Sequence, residues 1–98
     1  MSDRAESINS LDELSRYVHH TLCHREKLEP GAFAFSERIL VRSGRPCGIF
    51  FRLRGPRAVQ STAIWDCDRN TVLFYDSSGQ RVETVRLAAA PHLQLQTA

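Results

Sequence analysis

Long hydrophobic runs are missing from this 98-residue chain. None approaches the roughly 18 apolar residues of a membrane-spanning helix. The first ten residues, MSDRAESINS, are polar and mixed in charge, without the apolar segment of a signal peptide. We therefore expect a soluble, cytoplasmic protein with no membrane partner. Cysteine is scarce as well. Cys23, Cys47 and Cys67 are odd in number, widely spaced and free of any CxxC pattern. That argues against a disulfide framework and fits a reducing compartment. Lysine is almost absent, since twelve arginines accompany only Lys27. Against that background, arginine alone is a weaker sign of phosphate binding than usual. GxSxG, P-loop, GxGxxG and HExxH patterns do not occur, and no carboxylate pair suits acid–base work. No cofactor and no small-molecule substrate are implied.

What is present reads as one domain over residues 1–98, with loose termini at 1–7 and 88–98. Hydrophobic residues make up 42% and charged residues 24%, enough for a compact core. Ser10-Leu-Asp-Glu13 has the form of a capping box. Leu11, Leu14, Val18 and Leu22 follow at helical spacing and fall on a stripe about 80° wide. The helix should run to about residue 27 and stop at the Pro30-Gly31 turn.

From Ala32 the period changes from helical to two. AFAFSERILV, GIFFRLR, AVQSTAIWD, TVLFY and RVETVRL alternate as strands, with turns at RSGRPCG, Gly55-Pro56, DCDRN and DSSG. The turns leave no room for crossover helices, so neighbouring strands should be antiparallel. The expected fold is α+β: one N-terminal amphipathic helix packed on a five-strand antiparallel meander. Its core should hold Leu11, Leu14, Val18, Leu22, Phe33, Phe35, Ile39, Val41, Ile49, Phe51, Leu53, Trp65, Val72 and Phe74. The tail AAAPHLQLQTA should fray, although HLQLQ has the alternation of an edge strand.

Three stretches invite a chemical reading. On the helix, with angles measured from Leu11, His19 falls near 80°, Cys23 near 120°, His20 near 180° and His24 near 220°. His20 and His24 form one i,i+4 pair, and His19 with Cys23 another, which makes His20, His24 and Cys23 candidate zinc ligands. A structural zinc needs four ligands, however, and one exposed face supplies two, so a plain polar helix face is the preferred reading. Asp66-Cys67-Asp68-Arg69-Asn70 starts like a calcium loop, but Thr71 and Ser77 stand where glycine and glutamate belong. A hairpin turn held by Asp and Asn side chains accounts for it better. Phe74-Tyr-Asp-Ser-Ser-Gly-Gln-Arg81 resembles one unit of the tyrosine–aspartate hairpin repeats of large bacterial surface proteins. It occurs once and shares their turn chemistry.

The charge distribution carries the clearest functional hint. Residues 38–57 hold Arg38, Arg42, Arg45, Arg52, Arg54 and Arg57 and no acid, whereas residues 1–31 sum to −2 (four basic, six acidic). Pairing Val41 with Ile49 and Ile39 with Phe51 brings the apolar faces of the first hairpin together. Leu40 and Phe50 then lie opposite each other on the second face, and Arg38 opposes Arg52. Arg42 and Arg54 stand at the ends. Like charges so placed repel unless an anion lies between them. The expected partner-binding set is therefore Arg38, Leu40, Arg42, Phe50, Arg52 and Arg54. The leading expectation is a non-enzymatic interaction domain that binds an acidic protein surface, or a second copy of itself. Single-stranded nucleic acid is the alternative partner for the same face. A metal- or cysteine-dependent enzyme ranks third, centred on the His20–His24 face or on Cys47, which lies between arginine and glycine in Arg45-Pro-Cys-Gly48.

Overall fold

The computed structural model describes residues 5–6, 8, 10–29 and 31–87. Helix α1 spans Leu11–Glu26. It starts where Ser10, in an extended conformation, accepts the Glu13 amide on its hydroxyl at 3.1 Å. It ends earlier than Pro30-Gly31. Lys27 turns left-handed at φ 58°, and the amides of Lys27 and Leu28 close back on the carbonyls of His24 and Cys23. This closure satisfies two of the helix's last four carbonyls.

Five antiparallel strands follow: β2 (Phe35–Arg42), β3 (Arg45–Arg54), β4 (Gln60–Asp66), β5 (Thr71–Tyr75) and β6 (Arg81–Leu87). The α+β architecture is the expected one. A sixth, two-residue strand, β1 (Ala5–Glu6), runs parallel to β6 opposite Arg86 and Leu87. These two residues were expected in a loose terminus and instead cover one edge of the sheet. The full order is β1-β6-β5-β4-β3-β2. The tail 88–98, with the HLQLQ stretch, lies outside the described residues. No helix among them is long and apolar enough to cross a membrane.

Helix α1 packs on one face of the sheet, mainly against β3 and β4. The core joins Leu14, Val18, Leu22 and Cys23 of the helix to Ile49, Phe51, Leu53, Ala63, Trp65, Val72, Phe74, Val85 and Leu87 of the sheet, with Ile8 beside them. Two expected core residues lie outside it. Ile39 is 46% and Val41 60% exposed, because the far end of the first hairpin extends beyond the helix. The buried helix stripe also reaches further round the helix than expected. Leu11 is only partly buried, while Cys23 is 2% exposed.

The first turn explains the register. Ser43 and Gly44 both have positive φ, 53° and 76°, as a two-residue hairpin turn of right-twisted strands requires. The turn is therefore shorter than RSGRPCG, and β3 begins at Arg45. Ile39 consequently faces Ile49, and Phe35 faces Leu53, a two-residue shift from the expected pairing. An even shift keeps every side chain on its expected face but changes its neighbours. The register breaks between Leu40 and Val41, where β3 accommodates Pro46 and Cys47.

Candidate docking face on the open side of the sheet

Residues alternate across a strand, so the side chains between the buried ones of β3, β4 and β5 point away from the helix. In the ladder, Arg38, Phe50, Ile64, Leu73 and Thr84 lie in one row across β2 to β6. Phe50, Ile64 and Leu73 are half-buried, and Leu40 lies beside them opposite Gly48. No described element covers this face. Ile64 and Leu73 were not among the expected binding residues. Their signal was present, because β4 and β5 carry apolar residues on both faces.

The two-residue shift dissolves the expected opposition of arginines. Arg38 faces Phe50, and Arg52 faces Ser36. The Arg38 and Arg52 guanidinium carbons each lie 6.0 Å from the centroid of the Phe50 ring. Both cations thus flank one aromatic ring, a favourable arrangement. Arg52 is half-buried, and its Nε is enclosed without a hydrogen-bond partner. A buried donor of this kind costs free energy until an acceptor reaches it. Of the other expected residues, Arg42 sits at the turn opposite Arg45, and Arg54 is exposed at the far end opposite Gln60. The set is therefore one strip, densest around Phe50.

A cavity of about 330 Å³ adjoins the row and is lined by Leu40, Arg42, Cys47, Ile64, Trp65, Asp66, Asp68, Arg69 and Leu73. Asp66 and Asp68 offset part of the arginine charge here. No histidine lies with Cys47 among these lining residues. Cys67 follows β4, and its amide donates to the Cys47 carbonyl at 3.1 Å. Burial, then Asp68 and Asp66, push the Cys67 thiol up.

The histidine-rich helix face separates into different environments. His20 and His24 are exposed and line a shallow depression with Tyr17, Thr21, Arg25 and Glu83, where Arg25 pairs with Glu83. Cys23 turns into the core, where burial and then Glu29 raise its pKa. Its side chain and the exposed His20–His24 pair therefore lie in different environments. The described residues hold no group of three or more His, Cys, Asp or Glu arranged to bind a metal. His19 stacks on Phe35 with ring centroids 4.2 Å apart and planes 8° apart. The calcium-like loop is a turn. Asp66 accepts the Asp68 amide, while Asn70, left-handed at φ 51°, accepts from the Trp65 indole and donates to the Leu87 carbonyl.

No protein-family model, curated protein or solved structure matches this chain.

Proposed function

We propose that this chain is a small non-enzymatic interaction domain that docks an acidic protein surface on the open sheet face. The observation that carries the proposal is the Phe50 ring between two guanidiniums, one of which has an enclosed, unpartnered Nε. A carboxylate entering beside Phe50 would accept from Arg52, and the contact would be charge-assisted. Apolar groups of the same partner would cover Phe50, Ile64 and Leu73. An apolar centre with arginine at its margin is the anatomy of a protein interface, and aromatic and arginine side chains dominate its energetics. A second reading draws on the same ring. Phe50 offers a stacking surface to a base, with phosphates on Arg38 and Arg52.

Two measurements separate these readings. Immobilised wild-type protein and a Phe50→Ala/Arg52→Gln variant are compared by quantitative mass spectrometry of the proteins they retain. In parallel, a labelled mixed-sequence single strand is titrated by fluorescence anisotropy at about 50 and 200 mM salt. We expect acidic proteins that the variant retains at least about tenfold less well, as loss of a hot spot implies, and no strand binding. Strand binding that collapses at the higher salt and vanishes in the variant would replace the proposal with nucleic-acid binding. Identical retention by both baits, with no strand binding, would remove the face from consideration.

A further inference from the structure

Strand β2 ends the sheet, and no described strand lies along its outer edge. The opposite end is closed by β1 on β6. An open edge is a template for another strand, and proteins usually blunt it with proline, lysine, a bulge or a covering element. The eight residues of β2, FSERILVR, contain neither proline nor lysine. The register break falls at the turn end, between Leu40 and Val41. Glu37, Arg38 and Arg42 put charge on this strand, but the edge also exposes Ile39 (46%) and Val41 (60%).

The ladder determines which backbone groups are free. The Arg54 amide donates to the Ala34 carbonyl at 2.9 Å, which makes these two a hydrogen-bonded pair. The register then gives the same inward role to Ser36, Arg38 and Leu40. Phe35, Glu37 and Ile39 turn their N–H and C=O groups to the open side, and Val41 continues the alternation. An added antiparallel strand must bring outward-facing residues of its own to meet them.

A second β2 does this about a two-fold axis. The two longest overlaps centre on Arg38 and on Ile39. The first sets Arg38 directly against its counterpart, which repels. The second sets Ile39 against Ile39, Arg38 against Leu40 and Glu37 against Val41, with no like charges directly opposed. We propose that the protein forms a symmetric dimer in which β2 pairs antiparallel with β2 of a second copy about Ile39, joining two sheets into one. The dimer uses the edge of the hairpin and not its Phe50 face, so it goes beyond the docking function and does not depend on it.

Sedimentation equilibrium of the full chain tests this. Wild type should pass from monomer to dimer as concentration rises. Ile39→Pro should raise the dissociation constant at least about tenfold, because it removes an outward amide that the chain's own ladder does not use. Ile39→Lys, a conventional edge blocker, should do the same, and it serves if the proline variant fails to fold. Phe50→Ala should leave the dimer intact, and Ile39→Lys should leave the affinity of a single Phe50 site for a partner with one acidic segment intact, so the two proposals fail separately. The register is read by crosslinking in a Cys47→Ser/Cys67→Ser background. Ile39→Cys should give a disulfide-linked dimer on mild oxidation, whereas Val41→Cys should not, since it meets Glu37. A monomeric mass up to about 1 mM, where even weak sites fill, overturns the dimer. Crosslinking at position 41 equal to that at 39 overturns its register.

Discussion

Gly48→Ala is a single-methyl change whose cost follows from the sheet. Gly48 is buried in β3, opposite Asp66 on β4 and Leu40 on β2. A Cβ built there would meet the Trp65 carbonyl oxygen at 2.1 Å and the Trp65 carbonyl carbon at 3.3 Å. Both atoms are backbone, so no rotamer change relieves the overlap of more than 1 Å. The strands must separate locally, which disturbs one or two ladder hydrogen bonds worth about 1 kcal/mol each. Trp65, 1% exposed, loses close packing as well. Together we expect a loss of about 3 kcal/mol. The opposing gain is the reduced entropy of the unfolded chain, about 0.4–1 kcal/mol, so the clash decides the sign. For a chain of this size the melting temperature should fall by about 12–24 °C. The single tryptophan makes fluorescence-detected thermal and urea unfolding a direct assay. Gly55→Ala is the control. Its Cβ would approach the Leu28 Cδ1 atom at 3.3 Å, at the end of a side chain that can move, and the Val59 carbonyl oxygen at 3.5 Å, an ordinary contact distance. We expect Gly55→Ala to stay within about 1 kcal/mol of wild type. If Gly48→Ala also stays within that range, close strand approach is not what requires glycine there.

Two further substitutions test contacts of the helix. Burial, and then His20, hold the His19 pKa below 6.5. Its folded value is thus below its unfolded value, so its contribution to stability is complete above about pH 6.5 and is lost as pH falls through the folded value. His19→Phe keeps a ring against Phe35 and should flatten the change in urea midpoint between about pH 7 and 5. An unchanged slope would assign the acid sensitivity elsewhere. Ser61, 3% exposed, donates to Glu26 at 2.7 Å. Glu26 is half-buried and keeps access to water, so Ser61→Ala should cost about 1 kcal/mol. The matching fall in melting temperature is about 4–8 °C, and no fall would mean that water replaces the hydroxyl.

The helix, its Ser10 cap and the strand alternation were legible in the sequence because each is set by neighbours within four residues. The register of the first hairpin was not. It depends on whether Ser43-Gly44 or the whole of RSGRPCG makes the turn, and alternation on either side fits both. The structure places Pro46 at the second residue of β3, just before the register break, where a missing amide costs little. From that shift follow the Arg38–Phe50 pairing and the separation of Arg38 from Arg52. The burial of Cys23 was not legible because the stripe drawn by the leucines and Val18 stops about 100° short of it. The sheet instead takes the sector from Leu14 to Cys23. Exposure of Ile39 and Val41 could not be read from alternation, which gives the face but not how far the helix reaches along it.

The hairpin of β2 and β3 is where folding explains the sequence least. Helix α1 packs on β3 and β4, and the His19–Phe35 stack is what ties it to β2. Beyond Phe35, every residue of β2 is exposed or half-buried, so the core does not account for Ile39, Val41 or the arginines. The two proposed surfaces meet on this hairpin at right angles, one along its edge and one on its face. A two-fold axis perpendicular to a continuous sheet keeps each face on its own side. Pairing about Ile39 therefore puts both Phe50 sites on one side of the joined sheet, where a partner with repeated acidic segments could engage both. The second contact would form at the effective concentration set by the spacing of those segments, and the avidity would exceed either single affinity. In such an arrangement, Ile39→Lys leaves a single Phe50 site unchanged but weakens capture of a partner with two acidic segments, whereas Arg52→Gln weakens both.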